Sequence, residues 1–270
     1  MPVPRARRAI RRRMELYRPA VVLITGATSG FGAACARRFA ADGAALVLVG
    51  RRADRLEQLQ RELAASAPTL LLPLDVRDRA AVAQTLAALP APFTAVDVLV
   101  NNAGLALGLE PAERADIEDW ETMIDTNLKG LLYVTRAVLP GMVERDRGHI
   151  VELGSVAGTY PYPGGNVYGA TKAFVHQLAL NLRADLVGKR VRVTSVEPGM
   201  AETEFSEVRF HGDKDRAKAV YRGIQALRPE DVADAIHWAV TRPPHVNINR
   251  LEIMPTMQAF GPFAVSRDPS

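Results

Sequence analysis

Four polar residues in the middle of the chain have the side chains that a proton-transfer site needs: Asn127, Ser155, Tyr168 and Lys172. Tyr168 and Lys172 stand four residues apart in "VYGATKAF", residues 167–174, so they share one face of a predicted helix. A free phenol has a pKa of about 10 and is a poor acid or base at neutral pH. Because an ammonium group stabilises a phenolate, we predict that Lys172 lowers the pKa of Tyr168 toward the working range.

Ser155 and Asn127 complete this group. Ser155 follows a predicted strand, and its hydroxyl can donate a hydrogen bond to a substrate carbonyl oxygen. Tyr168 can deliver a proton to that oxygen as hydride arrives, or remove it in the reverse direction. Asn127 lies in a long predicted helix, where it could kink the helix and hold water for a proton relay past Lys172. Each residue alone is compatible with an ordinary polar surface, whereas the four together predict oxidation of an alcohol or reduction of a carbonyl.

A glycine-rich loop, "TGATSGFG" at residues 25–32, follows the first predicted strand and opens the first predicted helix. Glycines at this point let backbone amides and the positive end of the helix approach a pyrophosphate. A plain turn between strand and helix would need no more than one of the three glycines. The predicted cofactor contacts in this loop are Gly26, Thr28, Ser29, Gly30, Phe31 and Gly32.

Two arginines, Arg51 and Arg52, follow the second predicted strand. An NAD-binding protein usually has an acidic residue at this point, which binds the ribose 2′-hydroxyl. A guanidinium instead suits a 2′-phosphate and offers little to a neutral hydroxyl. The position therefore favours NADP(H) over NAD(H), with two merely solvated loop arginines as the alternative.

Residues at the ends of the third and fourth predicted strands extend this cofactor site. Asp75, in "LDV", can accept a hydrogen bond from the adenine amino group. The segment "NNAG", residues 101–104, places small residues and Asn101 where the cofactor crosses the strand ends. The predicted contacts at these two ends are Asp75, Val76, Asn102, Ala103 and Gly104.

The elements that must position these residues alternate between apolar runs and helical patterns. Predicted strands cover residues 20–26, 44–50, 69–76, 96–104, 149–155, 190–199 and 248–254. A helical region spans residues 116–145, with Pro140 and Gly141 interrupting its later part. Unbroken apolar strands between helices indicate a parallel sheet covered on both faces. We therefore predict an α/β fold, a single-domain Rossmann-type doubly wound sheet of about seven strands.

The domain boundaries follow the charge distribution. Residues 1–18 form a basic arm with seven arginines and one glutamate, a net charge of +6, whereas the remaining 252 residues carry −2. We interpret the arm as disordered, or as sequence upstream of a true start at Met14. The alternatives are a mitochondrial-type targeting peptide, although the arm has no serine, and a tether to nucleic acid or membrane, although it lacks interleaved aromatics. The domain is predicted to span 19–258, with a substrate lid at 200–228 and a C-terminal tail at 259–270.

Composition excludes several classes of protein. A single cysteine, Cys35, rules out an intramolecular disulfide, and no apolar run approaches the roughly 20 residues that span a bilayer. The five histidines have no metal-ligand spacing, so we expect no metal site. We expect a cytoplasmic enzyme that acts on a small molecule and binds neither nucleic acid nor membrane.

These motifs resemble those of the short-chain dehydrogenase/reductase family over residues 19–255. The family's T-G-x-x-x-G-x-G loop is found at 25–32 and its N-N-A-G motif at 101–104, and its Asn-Ser-Tyr-Lys tetrad matches the four polar residues. A further family motif, P-G-x-x-x-T, begins at Pro198. The resemblance implies that residues near the nicotinamide half of the cofactor include Pro198, Gly199, Thr203, Tyr168 and Lys172.

Several segments are similar to a narrower group, the NADP-dependent 3-hydroxy acid dehydrogenases. They include "DWETMIDTN" at 119–127, "TEFSEVRFHGD" at 203–213 and "HVNINRLEIMP" at 245–255. The similarity implies oxidation of L-serine, L-allo-threonine or 3-hydroxypropionate at the 3-hydroxyl, or reduction of malonate semialdehyde. The β-keto acid formed from serine or allo-threonine would then lose CO2. The similarity to this group also implies a homotetramer built as a dimer of dimers.

The carboxylate of such a substrate needs a cation or amide donors. Arg209, in the predicted lid, is our candidate, unless it simply lies on the lid surface. Together with Gly165, Ser155 and Tyr168 it makes up the predicted substrate contacts. Two other functions stay open: a 3-ketoacyl or general carbonyl reductase of the same family, and a non-catalytic NADP-sensing or nucleic-acid-binding protein that uses the basic arm.

Overall fold

The N-terminal boundary of the folded domain lies earlier in the chain than the sequence suggested. The computed structural model describes residues 16–261, so most of the predicted arm and tail lies outside the described residues. Tyr17 is buried, and the guanidinium groups of Arg147 and Arg192 lie 5.0 and 4.8 Å from its ring centroid. The predicted end of the arm at residue 18 is therefore wrong, because an aromatic ring packed between two cations belongs to the domain.

Seven parallel strands form one sheet, which confirms the predicted architecture. The strands are β1 (Val21–Thr25), β2 (Ala45–Gly50), β3 (Thr69–Pro73), β4 (Val98–Asn101), β5 (Gly148–Leu153), β6 (Val191–Pro198) and β7 (Arg250–Ile253). Their order across the sheet is β3-β2-β1-β4-β5-β6-β7. The central strands are buried along their whole length, as their unbroken apolar runs require.

Nine α-helices are found in residues 16–261. They are α1 (Gly30–Ala40), α2 (Ala53–Leu63), α3 (Arg79–Ala87), α4 (Ile117–Ile124), α5 (Leu131–Glu144), α6 (Asn166–Asp185), α7 (Phe205–Arg209), α8 (Lys214–Val220) and α9 (Pro229–Val240). One core cluster contains Phe39, Leu56 and Ile236, from α1, α2 and α9. A second contains residues of α3, α5 and α6, so helices cover both faces of the sheet. None of the described helices is both long and apolar enough to cross a membrane.

The long helical region predicted at 116–145 is continuous through its proline. Helix α4 passes into a π-helical segment, Asp125–Gly130, and then into α5. The prediction that Pro140 and Gly141 interrupt the helix is wrong, since α5 includes both. Pro140 and Arg136 are exposed, so the carbonyl that loses its intrahelical partner faces water, while buried Val138 and Met142 hold the helix on the sheet.

The strand order places a crevice above the centre of the sheet. Consecutive strands run outward from β1 to β3 on one side, and the chain then returns to β4 on the other. The loops that leave β1 and β4 therefore diverge at their carboxyl ends, which is where open α/β sheets bind ligands. Two short helices, α7 and α8, form part of the predicted lid at 200–228 and border this crevice.

Candidate active site

A cleft of about 620 Å³ lies at the carboxyl ends of the strands and joins the glycine loop to the lid. It brings together most of the side chains predicted from widely separated motifs. Those that line it are Gly26, Thr28, Ser29, Gly30, Phe31, Arg51, Arg52, Asp75, Val76, Asn102, Ala103, Gly104, Ser155, Tyr168, Lys172, Pro198, Gly199, Thr203 and Arg209. Three predicted site residues do not line the cleft: Asn127, Gly32 and Gly165.

The glycine loop has the backbone conformation that its sequence requires. Gly26 and Gly30 have φ angles of +65° and +50°, in the left-handed region where a side chain is strained. A Cβ on Gly32 would lie 2.6 Å from Asn102 Nδ2. Gly32 thus lets α1 pack closely on the loop, and its predicted contact with the cofactor stays a prediction.

The guanidinium of Arg52 and two hydroxyl groups of the glycine loop form a cluster of hydrogen-bond donors. Its Nη2 lies 3.0 Å from both Thr28 Oγ1 and Ser29 Oγ, and its Nε lies 3.3 Å from Thr28 Oγ1. Its remaining nitrogen, Nη1, pairs with the Glu204 carboxylate at 2.9 Å. Arg51 is exposed beside it and also lines the cleft. A guanidinium flanked by two hydroxyls fits a phosphate group.

The two asparagines at and just after the end of β4 have different roles. Asn102 lines the cleft, and its Nδ2 donates to Thr25 O at 2.9 Å, which ties β4 to the glycine loop. Asn101 is buried and donates to Thr135 Oγ1 at 2.7 Å and to Glu152 Oε1 at 3.2 Å. The expectation that Asn101 lies where the cofactor crosses is therefore wrong, because successive residues of a strand point to opposite faces.

Asp75 lines the cleft and is paired with a neighbouring cation. Arg77 Nη2 donates to Asp75 Oδ2 at 2.6 Å, and this hydrogen bond is the main reason that the pKa of Asp75 is lowered. The carboxylate is consequently ionised and acts as a hydrogen-bond acceptor. Its predicted partner, the adenine amino group, stays a prediction.

Asn127 marks the break in the long helix and lies behind the residues that line the cleft. It lies in the π-helical segment and is 1% exposed. Its Oδ1 accepts from Leu105 N and its Nδ2 donates to Leu105 O, both at 2.8 Å, and Nδ2 also donates to Thr171 Oγ1 at 3.1 Å. The predicted departure from regular helix is present. The side chain here holds the backbone beyond β4 and the helix α6, and its predicted role toward water stays untested.

Ser155, Tyr168 and Lys172 are brought together by β5 and α6. Ser155 follows β5, where its Oγ accepts from Ala157 N at 3.1 Å and so caps a short 3₁₀ turn. Tyr168 and Lys172 lie in the first two turns of α6, and Lys172 Nζ lies 5.9 Å from the centroid of the Tyr168 ring. Lys172 Nζ donates to Leu153 O at 2.7 Å. The arrangement that the spacing predicted is present.

The pKa of Tyr168 is raised in this structure, which is opposite to the predicted direction. Burial raises the pKa of Tyr168 to about 12, and the largest opposing influence is the positive charge of Arg209, followed by a hydrogen bond with Ser155. Burial also lowers the pKa of Lys172 to about 8. Among the groups around the phenol, the cation with the largest effect in favour of the phenolate is therefore Arg209.

Sequence reasoning missed a buried carboxyl group beneath this site. Glu152, on β5, is fully buried, and burial raises its pKa to about 8. Its negative charge raises the pKa of Lys172 against the effect of burial. Its Oε2 has no hydrogen-bond partner among the described residues. The signal that could have revealed this buried carboxyl group is the presence of an acidic residue inside the largely apolar strand "HIVELG".

Arg209 extends from α7 in the lid to the tyrosine. Its Cζ lies 5.2 Å from the centroid of the Tyr168 ring and 5.1 Å from that of Phe205. Its Nη2 donates to Tyr162 Oη at 2.8 Å, while its buried Nε has no partner among the described residues. A Cβ on Gly165 would lie 2.6 Å from the Tyr162 ring, so Gly165 lets that ring pack closely. Gly165 does not line the cleft, although a substrate contact was predicted for it.

Comparisons with known proteins agree with this geometry. Residues 20–214 match the model of the short chain dehydrogenase family. The chain is 58% identical to the NADP-dependent 3-hydroxy acid dehydrogenase YdfG of Salmonella typhi over 248 residues, which are 92% of this chain and 99% of that one. It is 57% identical to sulfoacetaldehyde reductase 2 of Chromohalobacter salexigens over 249 residues, again 92% of this chain and 99% of that one.

Solved structures give the same result for the fold. The closed form of a serine dehydrogenase complexed with NADP+ superimposes with a TM-score of 0.87 at 57% identity, covering 92% of this chain and all of that one. A 3-ketoacyl-(acyl-carrier-protein) reductase from Brucella melitensis, complexed with NADH, has a TM-score of 0.76 at 28% identity. That match covers 86% of this chain and 96% of the other.

Proposed function

Because the chain belongs to the short-chain dehydrogenase family and is an NADP-dependent oxidoreductase, we propose that it transfers hydride between NADP(H) and C3 of short 3-hydroxy acids. The proposed substrates are L-serine, L-allo-threonine and the pair 3-hydroxypropionate and malonate semialdehyde. The observation that carries this proposal is the position of Arg209, whose guanidinium lies 5.2 Å from the ring of the proton-carrying Tyr168.

Arg209 suits a substrate that carries its negative charge close to the reacting carbon. In a 3-hydroxy acid the carboxylate is separated from the hydroxyl carbon by one carbon atom. A carboxylate bound to the guanidinium would therefore hold that carbon near Tyr168 and Ser155, which line the same cleft. The guanidinium of Arg209, which lines the cleft, supplies charged donors for this carboxylate.

The residues present fit the cofactor that the relatives use. We assign the pyrophosphate to the turn at Gly26 and Gly30, where side chains are excluded by conformation, and the 2′-phosphate to Arg51 and Arg52. The nicotinamide supplies or accepts the hydride when it is bound. The protein supplies the proton and the orientation.

Tyr168 and Ser155 act together on the substrate oxygen. In the direction of reduction, Ser155 donates a hydrogen bond to the carbonyl oxygen and Tyr168 gives it a proton. The raised pKa of Tyr168 keeps the phenol protonated at neutral pH, which favours this direction. In the direction of oxidation, Arg209 and Ser155 stabilise the phenolate that must remove the proton. Oxidation of serine or allo-threonine gives a β-keto acid, which loses CO2.

A second candidate is supported by one of the relatives. Sulfoacetaldehyde carries a sulfonate on the carbon beside its aldehyde, as malonate semialdehyde carries a carboxylate. The sulfoacetaldehyde reductase relative is 57% identical to this chain. The same Arg209 could bind either anion, so the proposal covers both aldehydes. A 3-ketoacyl or general carbonyl reductase is less well supported, because it would leave this cation without a use.

A substrate panel tests the proposal. NADPH formation is measured with L-serine, L-allo-threonine, 3-hydroxypropionate and 3-hydroxyisobutyrate, with 1-propanol as the neutral compound, and NADPH oxidation is measured with sulfoacetaldehyde. The variant Arg209→Ala should raise KM for the acids more than tenfold, since a charge-assisted hydrogen bond is lost, and leave KM for the neutral alcohol unchanged, although kcat should fall for both because Arg209 also stabilises the phenolate. The control is Arg216→Ala, another lid arginine, whose guanidinium lies 4.5 Å from the Phe210 ring. Equal effects of Arg209→Ala on charged and neutral substrates would disprove the role of Arg209.

A further inference from the structure

Glu204, in the lid, contacts the arginines at the opposite end of the cleft. Its Oε2 lies 2.9 Å from Arg52 Nη1, and its Oε1 pairs with Arg55 Nη1. Arg52 is also the residue whose other nitrogens bind the hydroxyls of Thr28 and Ser29. The lid carboxylate therefore shares one guanidinium with the glycine loop.

This guanidinium is the group to which we assign the 2′-phosphate. The N–H groups of Arg52 and the two loop hydroxyls can together bind one anion. The Glu204 carboxylate occupies part of this group of donors, and Glu204 is the residue immediately before α7. The side chains of Arg52 and Glu204 are 41% and 37% exposed, so their pair is weak enough for another anion to replace it.

We propose that Glu204 competes with the 2′-phosphate of the cofactor for Arg52, so that NADP(H) displaces the lid carboxylate and NAD(H) leaves it in place. The proposal rests on the assignment of Arg52 to the 2′-phosphate. It makes Glu204 a specificity-determining residue, which acts through a competing charge and not through direct contact with the cofactor.

Glu204 adjoins the element that faces the substrate end of the cleft. The helix that begins after Glu204 carries Phe205, whose ring centroid lies 5.5 Å from that of Tyr168, and Arg209, whose Cζ lies 5.2 Å from the centroid of the same ring. One short segment of the lid thus carries the carboxylate at one end of the cleft and the substrate cation at the other.

The competition is measured by calorimetric titration of NADPH, NADH and adenosine 2′,5′-bisphosphate into the wild type and the variant Glu204→Gln. Glutamine keeps the shape and loses the charge. We expect NADPH and the bisphosphate to bind about three- to fivefold more tightly to the variant, as for loss of an exposed ion pair, with no change for NADH. The matched control is Glu202→Gln, which removes an exposed charge from the same segment. Unchanged or weaker binding of NADPH to Glu204→Gln would overturn the proposal.

A second pair of variants separates this inference from the assignment beneath it. Arg52→Ala should weaken binding of NADPH and of the bisphosphate, and Glu204→Gln should give no gain in that background. If Arg52→Ala leaves both affinities unchanged, the assignment of the 2′-phosphate to Arg52 fails. If Arg52→Ala weakens them but Glu204→Gln alone gives no gain, only the competition fails.

Discussion

Both ends of the sheet bury ionisable side chains, but the two ends differ in how completely these side chains are hydrogen-bonded. At the amino end, Arg192 is 4% exposed and donates to Val240 O at 2.7 Å and to three further carbonyl oxygens at 3.4 Å. Asp97, at the same end, accepts from Ala20 N at 2.7 Å and from Arg147 Nε at 2.8 Å. At the carboxyl end, Glu152 keeps one oxygen without a partner among the described residues.

This difference separates groups that hold the fold from groups that exchange protons. Complete pairing fixes one protonation state, and Arg192 stays charged at neutral pH although burial lowers its pKa to about 10. Incomplete pairing leaves the cost of burial uncompensated. Burial therefore brings the pKa values of Glu152 and Lys172 from opposite directions to about 8. Groups with such values can gain or lose a proton near neutral pH.

The largest expected effect is on catalysis at the carboxyl end. Tyr168→Phe keeps the buried ring and removes the proton carrier, so kcat should fall on the order of a thousandfold. The thermal midpoint should stay close to that of the wild type, because the ring contact with Phe205 remains. Steady-state kinetics and calorimetry of the same sample measure both quantities. A variant that keeps most of its kcat would remove Tyr168 from the reaction.

The matching change at the amino end should have the opposite pattern. Arg192→Leu leaves the carbonyl oxygens at the end of α9 without their donor, which should cost about 3 kcal/mol in the free energy of unfolding. The value of kcat/KM per folded molecule should be unchanged. Urea unfolding and active-site-normalised kinetics test the pair of expectations. Loss of kcat/KM in the folded protein would show that the two ends are not independent.

Glu152→Gln tests the pairing beneath the site through pH. Glu152 has a folded pKa of about 8, above its ordinary value of 4.5, so the folded state binds the extra proton. Its contribution to stability is present below pH 4.5 and is lost as the pH rises toward 8. The variant should therefore lose less stability across this window, which thermal midpoints at several pH values measure.

The same variant should also move the pH profile of the reaction. The negative charge of Glu152 raises the pKa of Lys172, so its removal lets that pKa fall further. Because Lys172 lines the cleft beside the Tyr168 ring, loss of its proton should appear in the pH profile, and the alkaline limb of kcat/KM should shift to lower pH. A structural role alone would change stability and leave this limb in place.

The smallest expected effect concerns an exception at the amino end. His149 is fully buried on β5, its Nδ1 has no partner among the described residues, and burial lowers its pKa well below 6.5. Because the unfolded chain binds this proton more readily, stability should fall as the pH drops below 6.5. His149→Gln should flatten that acid decline and leave kcat unaffected, as measured by melting curves from about pH 5.5 to about pH 7.5, one unit to either side of the ordinary histidine pKa.

The sequence allowed the fold and most of the cleft to be predicted because both depend on local signals. Apolar runs marked the strands, and polar residues at their ends had to meet at one edge of a parallel sheet. The close packing at Gly32 and Gly165 could not be predicted, because a glycine can serve a ligand or a close packing contact and the sequence does not show the neighbouring atoms. The pKa of Tyr168 was misjudged because burial and the approach of Arg209 are tertiary properties.

The π-helical segment Asp125–Gly130 also sets the face that the rest of the long helix turns toward the sheet. A π turn contains one residue more than an α turn. If the same residues wound as regular α-helix, that extra residue would rotate every following side chain by about 100° around the axis. Val138 and Met142 would then leave the sheet. The packing of α5 therefore depends on a backbone irregularity that lies before the helix begins.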